Sequence, residues 1–154
     1  MLTETEKQQI AAHAAQYPQK RGAVGDALKI VQRRLGWISD EALAAIAAAL
    51  EMTTAEVDSI ATFYSGIFRR PVGRHVIMIC DSVSCYVTGY EDVRRRLCQR
   101  LGIDLGGTTA DGRFTLLPAA CLGLCDIAPA MMVDEDVHGN LTPTLVDAIL
   151  AKYA

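Results

Sequence analysis

Cys121-Leu122-Gly123-Leu124-Cys125-Asp126-Ile127-Ala128-Pro129 puts two thiols in a short glycine-containing turn. Apolar runs that read as strands flank it, Phe114-Thr115-Leu116-Leu117 before and Ala130-Met131-Met132-Val133 after. A second pair, Cys80 and Cys85, follows another such run, Val76-Ile77-Met78-Ile79. Continuous apolar runs of this length suit strands buried on both faces. Two close thiol pairs, each at the end of a strand, are equipped to hold a metal centre in the loops.

Between the two pairs, Thr88 and Glu91 have the spacing of a helix cap. The helix they start would reach Leu101-Gly102, with Tyr90, Val93, Leu97 and Leu101 inward and Arg94, Arg95, Arg96 and Arg100 outward. Cys98 falls near its apolar side and reads as a packed thiol. Downstream of the opening motif, Val137-His138-Gly139-Asn140-Leu141 reads as a hairpin turn into a short fourth strand. Thr142 as N-cap and Pro143 at the first helical position then start a terminal helix through Leu145, Ile149 and Leu150. The order β-α-β-β-α predicts a small α/β sandwich whose helices cover one sheet.

Upstream, Arg69-Arg70-Pro71-Val72-Gly73 marks a change of composition, and proline disfavours helix at the residue before it. This divides the chain into residues 1–70 and 71–154. The first part reads as four short helices. Thr3 with Glu6 and Thr53 with Glu56 form capping boxes, and Ser39 is a third N-cap. Ile10, Ala11, Ala14 and Ala15 form the first apolar face. Ala27, Leu28, Val31 and Leu35 form the second, in a helix from Val24 that Gly36 stops. Leu43, Ile46, Ala47 and Leu50 form the third, and Val57, Ile60, Ala61, Tyr64 and Phe68 the fourth. Trp37, Phe63, Tyr64 and Phe68 read as core aromatics, with Trp37 tucked under the turn after Gly36. The fold class is therefore α+β: a helical bundle, then an α/β domain.

The net charge of −3 argues against nucleic acid as a partner, which calls for a basic surface. Residues 1–70 balance eight basic against eight acidic side chains, while 71–154 carry seven against ten, so the deficit lies with the cysteines. Ala42–Leu50 is too short an apolar stretch to cross a bilayer. The start, Met1-Leu2-Thr3-Glu4-Thr5-Glu6-Lys7, is polar, so the expected compartment is the cytoplasm. Thiols stay reduced there, and clustered cysteines bind metal more often than they form disulfides.

Cys-x4-Cys with Cys-x3-Cys could serve zinc or an iron–sulfur cluster, both of which accept all-cysteine ligation. The longer spacers suit the larger [2Fe–2S] unit, whose two irons each need a sulfur pair. With four thiolates that unit is a dianion, and reduction adds a further negative charge. Gly123 permits close approach of backbone N–H groups. Asp81 and Asp126 each adjoin a cysteine, with no Lys or Arg inside either motif, so a low reduction potential is expected. His13, His75 and His138 are scattered and occupy no ligand position.

Cys80-Asp81-Ser82-Val83-Ser84-Cys85, Asp111-Gly112-Arg113-Phe114-Thr115-Leu116 and the opening motif through Ala128-Pro129 resemble one family closely. It is the thioredoxin-like [2Fe–2S] ferredoxin subunit of bacterial respiratory complex I, the proton-pumping NADH:quinone oxidoreductase. Ala61-Thr62-Phe63-Tyr64 and Arg69–Val76 share in the resemblance, which spans nearly the whole chain. It implies a helical bundle joined to a thioredoxin-like domain, with Cys80, Cys85, Cys121 and Cys125 as ligands of one [2Fe–2S] cluster. It implies a flavin-carrying partner subunit that oxidises NADH, with FMN and NADH bound there and not on this chain. The setting would be the peripheral arm of a respiratory complex on the cytoplasmic face, with no membrane insertion and no independent active site in this chain. The same module occurs in soluble formate dehydrogenases and bidirectional hydrogenases. Asp111–Phe114 and Asp134-Glu135-Asp136-Val137-His138 favour the complex I version. A zinc-stapled interaction module is the competing class.

Overall fold

The computed structural model describes residues 1–153, which divide at Pro71–Val72 into two units, each with its own hydrophobic core. In the first unit, side chains satisfy the orphan backbone groups at the helix starts. Helix α1, Glu4–Ala14, opens on Thr3, whose hydroxyl accepts the Glu6 N–H (3.2 Å) while the Glu6 carboxylate accepts the Thr3 N–H (2.7 Å). Helix α2, Val24–Leu35, stops at Gly36, where φ is +79°. Helix α3, Asp40–Leu50, is capped by Ser39, and α4, Thr54–Phe63, by the reciprocal Thr53–Glu56 pair. Ile10, Leu28, Val31, Ile38, Ile46, Leu50 and Val57 fill the space between these helices.

Two expectations about this unit fail at the end of α4. The helix stops at Phe63 instead of running to Phe68, because Tyr64 is extended. Buried Gln32 on α2 holds the segment beyond it, donating from Nε2 to the Gly66 carbonyl (3.0 Å) and accepting the Phe68 N–H at Oε1 (2.7 Å). Those bonds require a turn where the apolar spacing suggested helix. Phe63 and Tyr64 consequently stand 79% and 56% exposed, their rings edge-to-face at 5.1 Å. Trp37 and Phe68 are half-buried, and Ile38, not Trp37, is the residue fully buried after Gly36. Ala11, Ala15 and Leu35 also face solvent.

The second unit is built on β1, His75–Cys80, one of the two inner strands of a four-stranded sheet ordered β2-β1-β3-β4. Strand β2, Phe114–Ala119, runs parallel to it in the register His75↔Phe114 to Cys80↔Ala119. Strand β3, Met131–Val133, is antiparallel on the other side, and β4, Asp136–His138, forms the edge. A parallel pair needs a crossover. Here the connection contains α5, Val83–Val87, and α6, Tyr90–Leu101. Ile77, Ile79, Leu116, Met131 and Val133 pack in one core with Tyr90, Val93 and Leu97 of α6. Val146, Ile149 and Leu150 of the last helix, α7, Pro143–Leu150, complete it.

The β-α-β-β-α order therefore stands with α5 added, and three local readings change. Thr88 does not cap α6: its hydroxyl donates to the Ser84 carbonyl (2.7 Å) and closes α5, while Gly89 at φ +117° leads into α6. The hairpin turn falls at Asp134-Glu135, ahead of β4, and not at 137–141. Asp134 takes φ +55°, and its carboxylate accepts the Val76 N–H (2.9 Å) and meets His75 Nδ1 (2.7 Å). On α7, Val146 is buried where Leu145 was expected.

Candidate metal centre

Parallel pairing puts the carboxyl ends of β1 and β2 side by side, and both thiol pairs lie at those ends. Crevices outside the carboxyl ends of parallel strands are the usual binding places of α/β sheets. Cys80 is the last residue of β1, its N–H bonded to the Ala130 carbonyl (3.1 Å). The next N–H, of Asp81, reaches the Ala119 carbonyl at the end of β2 (3.1 Å), tying the starts of the two cysteine loops together. Cys85 lies within α5, and both Cys80 and Cys85 are buried. Cys121 and Cys125 are exposed in the loop after β2, where Cys125 opens a 3-10 turn through Ile127.

The second loop is already shaped around sulfur. Gly123, at φ +73°, donates its N–H to Cys121 Sγ (3.3 Å). A left-handed residue there is easy for glycine and strained for others. From the segment between β4 and α7, the Asn140 N–H bonds the Ile127 carbonyl (2.6 Å) and the Leu141 N–H bonds that of Pro129 (3.0 Å). The Ala128–Pro129 peptide is cis.

Burial is the main cause pushing the Cys85 thiol up, followed by its hydrogen bond with Cys80 and the charges of Cys80 and Cys125, against a backbone contact at Ala130. Cys80 and Cys85 belong to one core cluster, and Cys121 and Cys125 share the loop after β2. Among the described residues, no three His, Cys, Asp or Glu side chains converge closely enough to hold a single ion. All five cysteines are free thiols. Four of them in two pairs, with an N–H already directed at one sulfur, are the donor set an all-cysteine cluster requires. Metal binding has to displace the thiol protons, Cys85's included.

Other candidate features lie away from these loops. Cys98 is half-buried on α6 against the core, as expected for a packed thiol. His75 sits at the opposite end of β1 from Cys80. Neither the 410 Å³ groove at Arg96 and Asp147 nor the 570 Å³ one at Arg113 and Phe114 is lined by a site cysteine.

The family model for thioredoxin-like [2Fe–2S] ferredoxins matches residues 10–154. The chain belongs to this family. A subunit of the NADH-quinone oxidoreductase of Pseudomonas aeruginosa is 50% identical over 153 residues, 99% of this chain and 92% of that one. The corresponding NADH-quinone oxidoreductase subunit of Escherichia coli K12 is 49% identical over 152 residues, with the same coverage of both chains. Among solved structures, an NAD+-reducing [NiFe]-hydrogenase superposes with a TM-score of 0.72 at 29% identity, over 85% of this chain and 22% of that one. The cofactor of this ferredoxin is accordingly a [2Fe–2S] cluster. No described helix is long and apolar enough to cross a membrane.

What the sequence did not reveal in this ferredoxin is the helix inside the first thiol loop. Ser82, extended at the start of α5, was the available signal, but five residues are too few to establish a helical period. The contacts of Gly139 and Asn140 with the second loop were also missed, because that dipeptide reads equally well as a hairpin turn.

Proposed function

We propose that Cys80, Cys85, Cys121 and Cys125 hold the [2Fe–2S] cluster and that this ferredoxin is the electron-transfer subunit of an NADH:quinone oxidoreductase. Its redox partner is the FMN of an adjacent NADH-oxidising subunit. The observation carrying the ligand assignment is the placement of both thiol pairs at the adjoining carboxyl ends of β1 and β2. Bound there, the cluster supplies a site that accepts and returns one electron. The chain's residues set the conditions for that exchange. Cys80 and Cys85 are shielded from water, while Cys121 and Cys125 lie at the surface, where a partner can approach. The Gly123 N–H points at Cys121 Sγ, and the Asp81 and Asp126 carboxylates oppose added negative charge.

Residues 1–70 serve as the partner-binding bundle and 71–154 as the cluster domain, in the peripheral arm on the cytoplasmic face of the membrane. About 50% identity to two NADH-quinone oxidoreductase subunits, against 29% to the NAD+-reducing hydrogenase, favours the quinone-linked complex over a hydrogenase assembly. Anaerobic purification followed by metal and sulfide analysis tests the assignment. Iron and labile sulfide at about two of each per chain are expected, with loss in Cys→Ala variants at positions 80, 85, 121 and 125 and retention in Cys98→Ala. One tightly held zinc without labile sulfide would instead establish the zinc-stapled module. Co-purification with a flavin subunit and the remaining respiratory subunits distinguishes the quinone-linked complex from a soluble hydrogenase or formate dehydrogenase.

A further inference from the structure

The terminal turn Ala151–Tyr153 closes on the edge of the sheet, far along the chain from either thiol pair. Strand β4 has three residues and a sheet neighbour on one side alone, so few ladder bonds hold it. Tyr153 supplies the missing support. Its hydroxyl donates to the Asp136 carboxylate (2.7 Å) and lies 3.1 Å from His138 Nε2. The hydroxyl has one proton to give, so the imidazole donates in the second bond, with its proton on Nε2. Burial, then the Asp136 bond, push the phenol up to about 12, so its proton stays in place. Burial and the charge of Lys152 hold His138 below its ordinary 6.5 against the pull of Asp136, which keeps the ring neutral at pH 7. The Tyr153 ring also stands edge-on to His75 of β1, with 5.3 Å between centroids. One side chain thus ties both ends of β4 to the start of β1.

What β4 leads into bears on the second thiol loop. Asn140 takes φ +50°, a conformation that a residue with a side chain keeps only where its surroundings fix it. There its N–H bonds the Ile127 carbonyl (2.6 Å), and Gly139 packs so closely on Ile127 that a Cβ would fall 2.5 Å from Cδ1. Ile127 closes the 3-10 turn that Cys125 opens, and no residue of that turn is buried. Its position is therefore set from outside, by residues 139 and 140, whose own place follows from β4. We infer that Tyr153 is a positioning residue for Cys125: its clasp on Asp136 and His138 fixes β4 and, through Gly139 and Asn140, the turn that carries the thiol. The consequence for the cluster rests on the ligand assignment proposed above, and the path from Tyr153 to the turn rests on the contacts alone.

The test compares the full-length, cluster-loaded chain with Tyr153→Phe, which keeps the ring and loses the hydroxyl, and with His138→Leu and His138→Gln. Glutamine keeps a donor for the phenol oxygen, and leucine does not. Release of the cluster to an iron chelator should be roughly three- to tenfold faster in Tyr153→Phe and His138→Leu, as one lost hydrogen bond implies. It should stay near wild type in His138→Gln, and adding His138→Leu to Tyr153→Phe should add little, because both break one clasp. In hydrogen exchange, the Asn140 amide should lose protection in the two broken variants while the β1 and β2 amides keep theirs. The EPR line shape of the reduced cluster should change in the same two variants and be restored in His138→Gln. Wild-type release and Asn140 protection in both overturn the positioning role. An equal loss of protection across the whole sheet domain overturns it too, since that marks a residue that only stabilises the fold. Should Tyr153→Phe fail to fold, the His138→Gln and His138→Leu pair decides on the same readouts. A cluster retained in Cys125→Ala refutes the ligand assignment instead. Asn140 exchange in the cluster-free chain then still reports on the clasp, and unchanged protection there overturns it.

Discussion

Glu6 is the most heavily engaged carboxylate of the bundle. It is buried, takes the Arg34 Nε–H (2.8 Å), and completes the cap at Thr3. The Arg34 hydrogen bond is the largest influence on its acidity, and with the Thr3 bonds it outweighs burial and holds the carboxyl below its ordinary 4.5. A lowered folded value means that the unfolded chain takes up protons first. The stabilisation is therefore complete above 4.5 and is lost as pH falls through the lower folded value. Glu6→Ala should cost the bundle about 1–3 kcal/mol at neutral pH and flatten the acid limb of its stability profile, as read by urea unfolding from pH 3 to 7. A second prediction concerns Asp126, exposed beside Cys125. Asp126→Asn removes a negative charge near the added electron, so the reduction potential should move positive. Solvent screening should keep the shift below about 60 mV, the tenfold interval of a one-electron couple. Redox titration followed by EPR would measure it.

Among the elements, the loop Cys125–Ile127 depends on a residue well outside the thiol motif. A Cβ at Gly139 would sit 2.5 Å from Ile127 Cδ1 and 2.6 Å from its Cβ, distances no side chain tolerates. Gly139→Ala should therefore push the Ile127 turn, and Cys125 with it, out of position. The expected cost is about 1–3 kcal/mol, with faster cluster loss in a chelator challenge than Gly25→Ala on α2, whose Cβ meets only open space at a helical backbone, although both change a glycine. The same dipeptide explains part of what the sequence concealed. Gly139-Asn140 has the composition of a hairpin turn, yet the turn belongs to Asp134, which takes a left-handed conformation because its carboxylate is fixed by Val76 and His75. Helix starts were legible because Thr3, Ser39, Thr53 and Thr142 cap locally, within three residues. The end of α4 was not, since it is set by Gln32, distant in sequence. Likewise, the cysteine spacing was readable, but which face of α5 points outward depends on how Cys85 packs against the core.

Across the whole molecule, the two units have separate cores, one reaching from Leu2 to Ile67 and the other from Ile77 to Leu150. The four cysteines and every strand belong to the second. A chain starting at residue 72 thus keeps its sheet, its helices and its proposed ligands, and it should fold and hold its cluster without the bundle. Its dithionite-reduced EPR signal and visible spectrum should match those of the full chain. Partner binding should behave differently. If the bundle and the cluster domain both engage the flavin subunit, the second contact forms at the effective concentration set by the first. Two linked contacts then exceed either alone by about 10²–10⁴ in affinity. Deleting residues 1–70 removes that gain, so the truncated chain should fail to co-purify with the flavin subunit while still binding weakly in equilibrium titration. Full co-purification of the truncated chain would show that the bundle has another role.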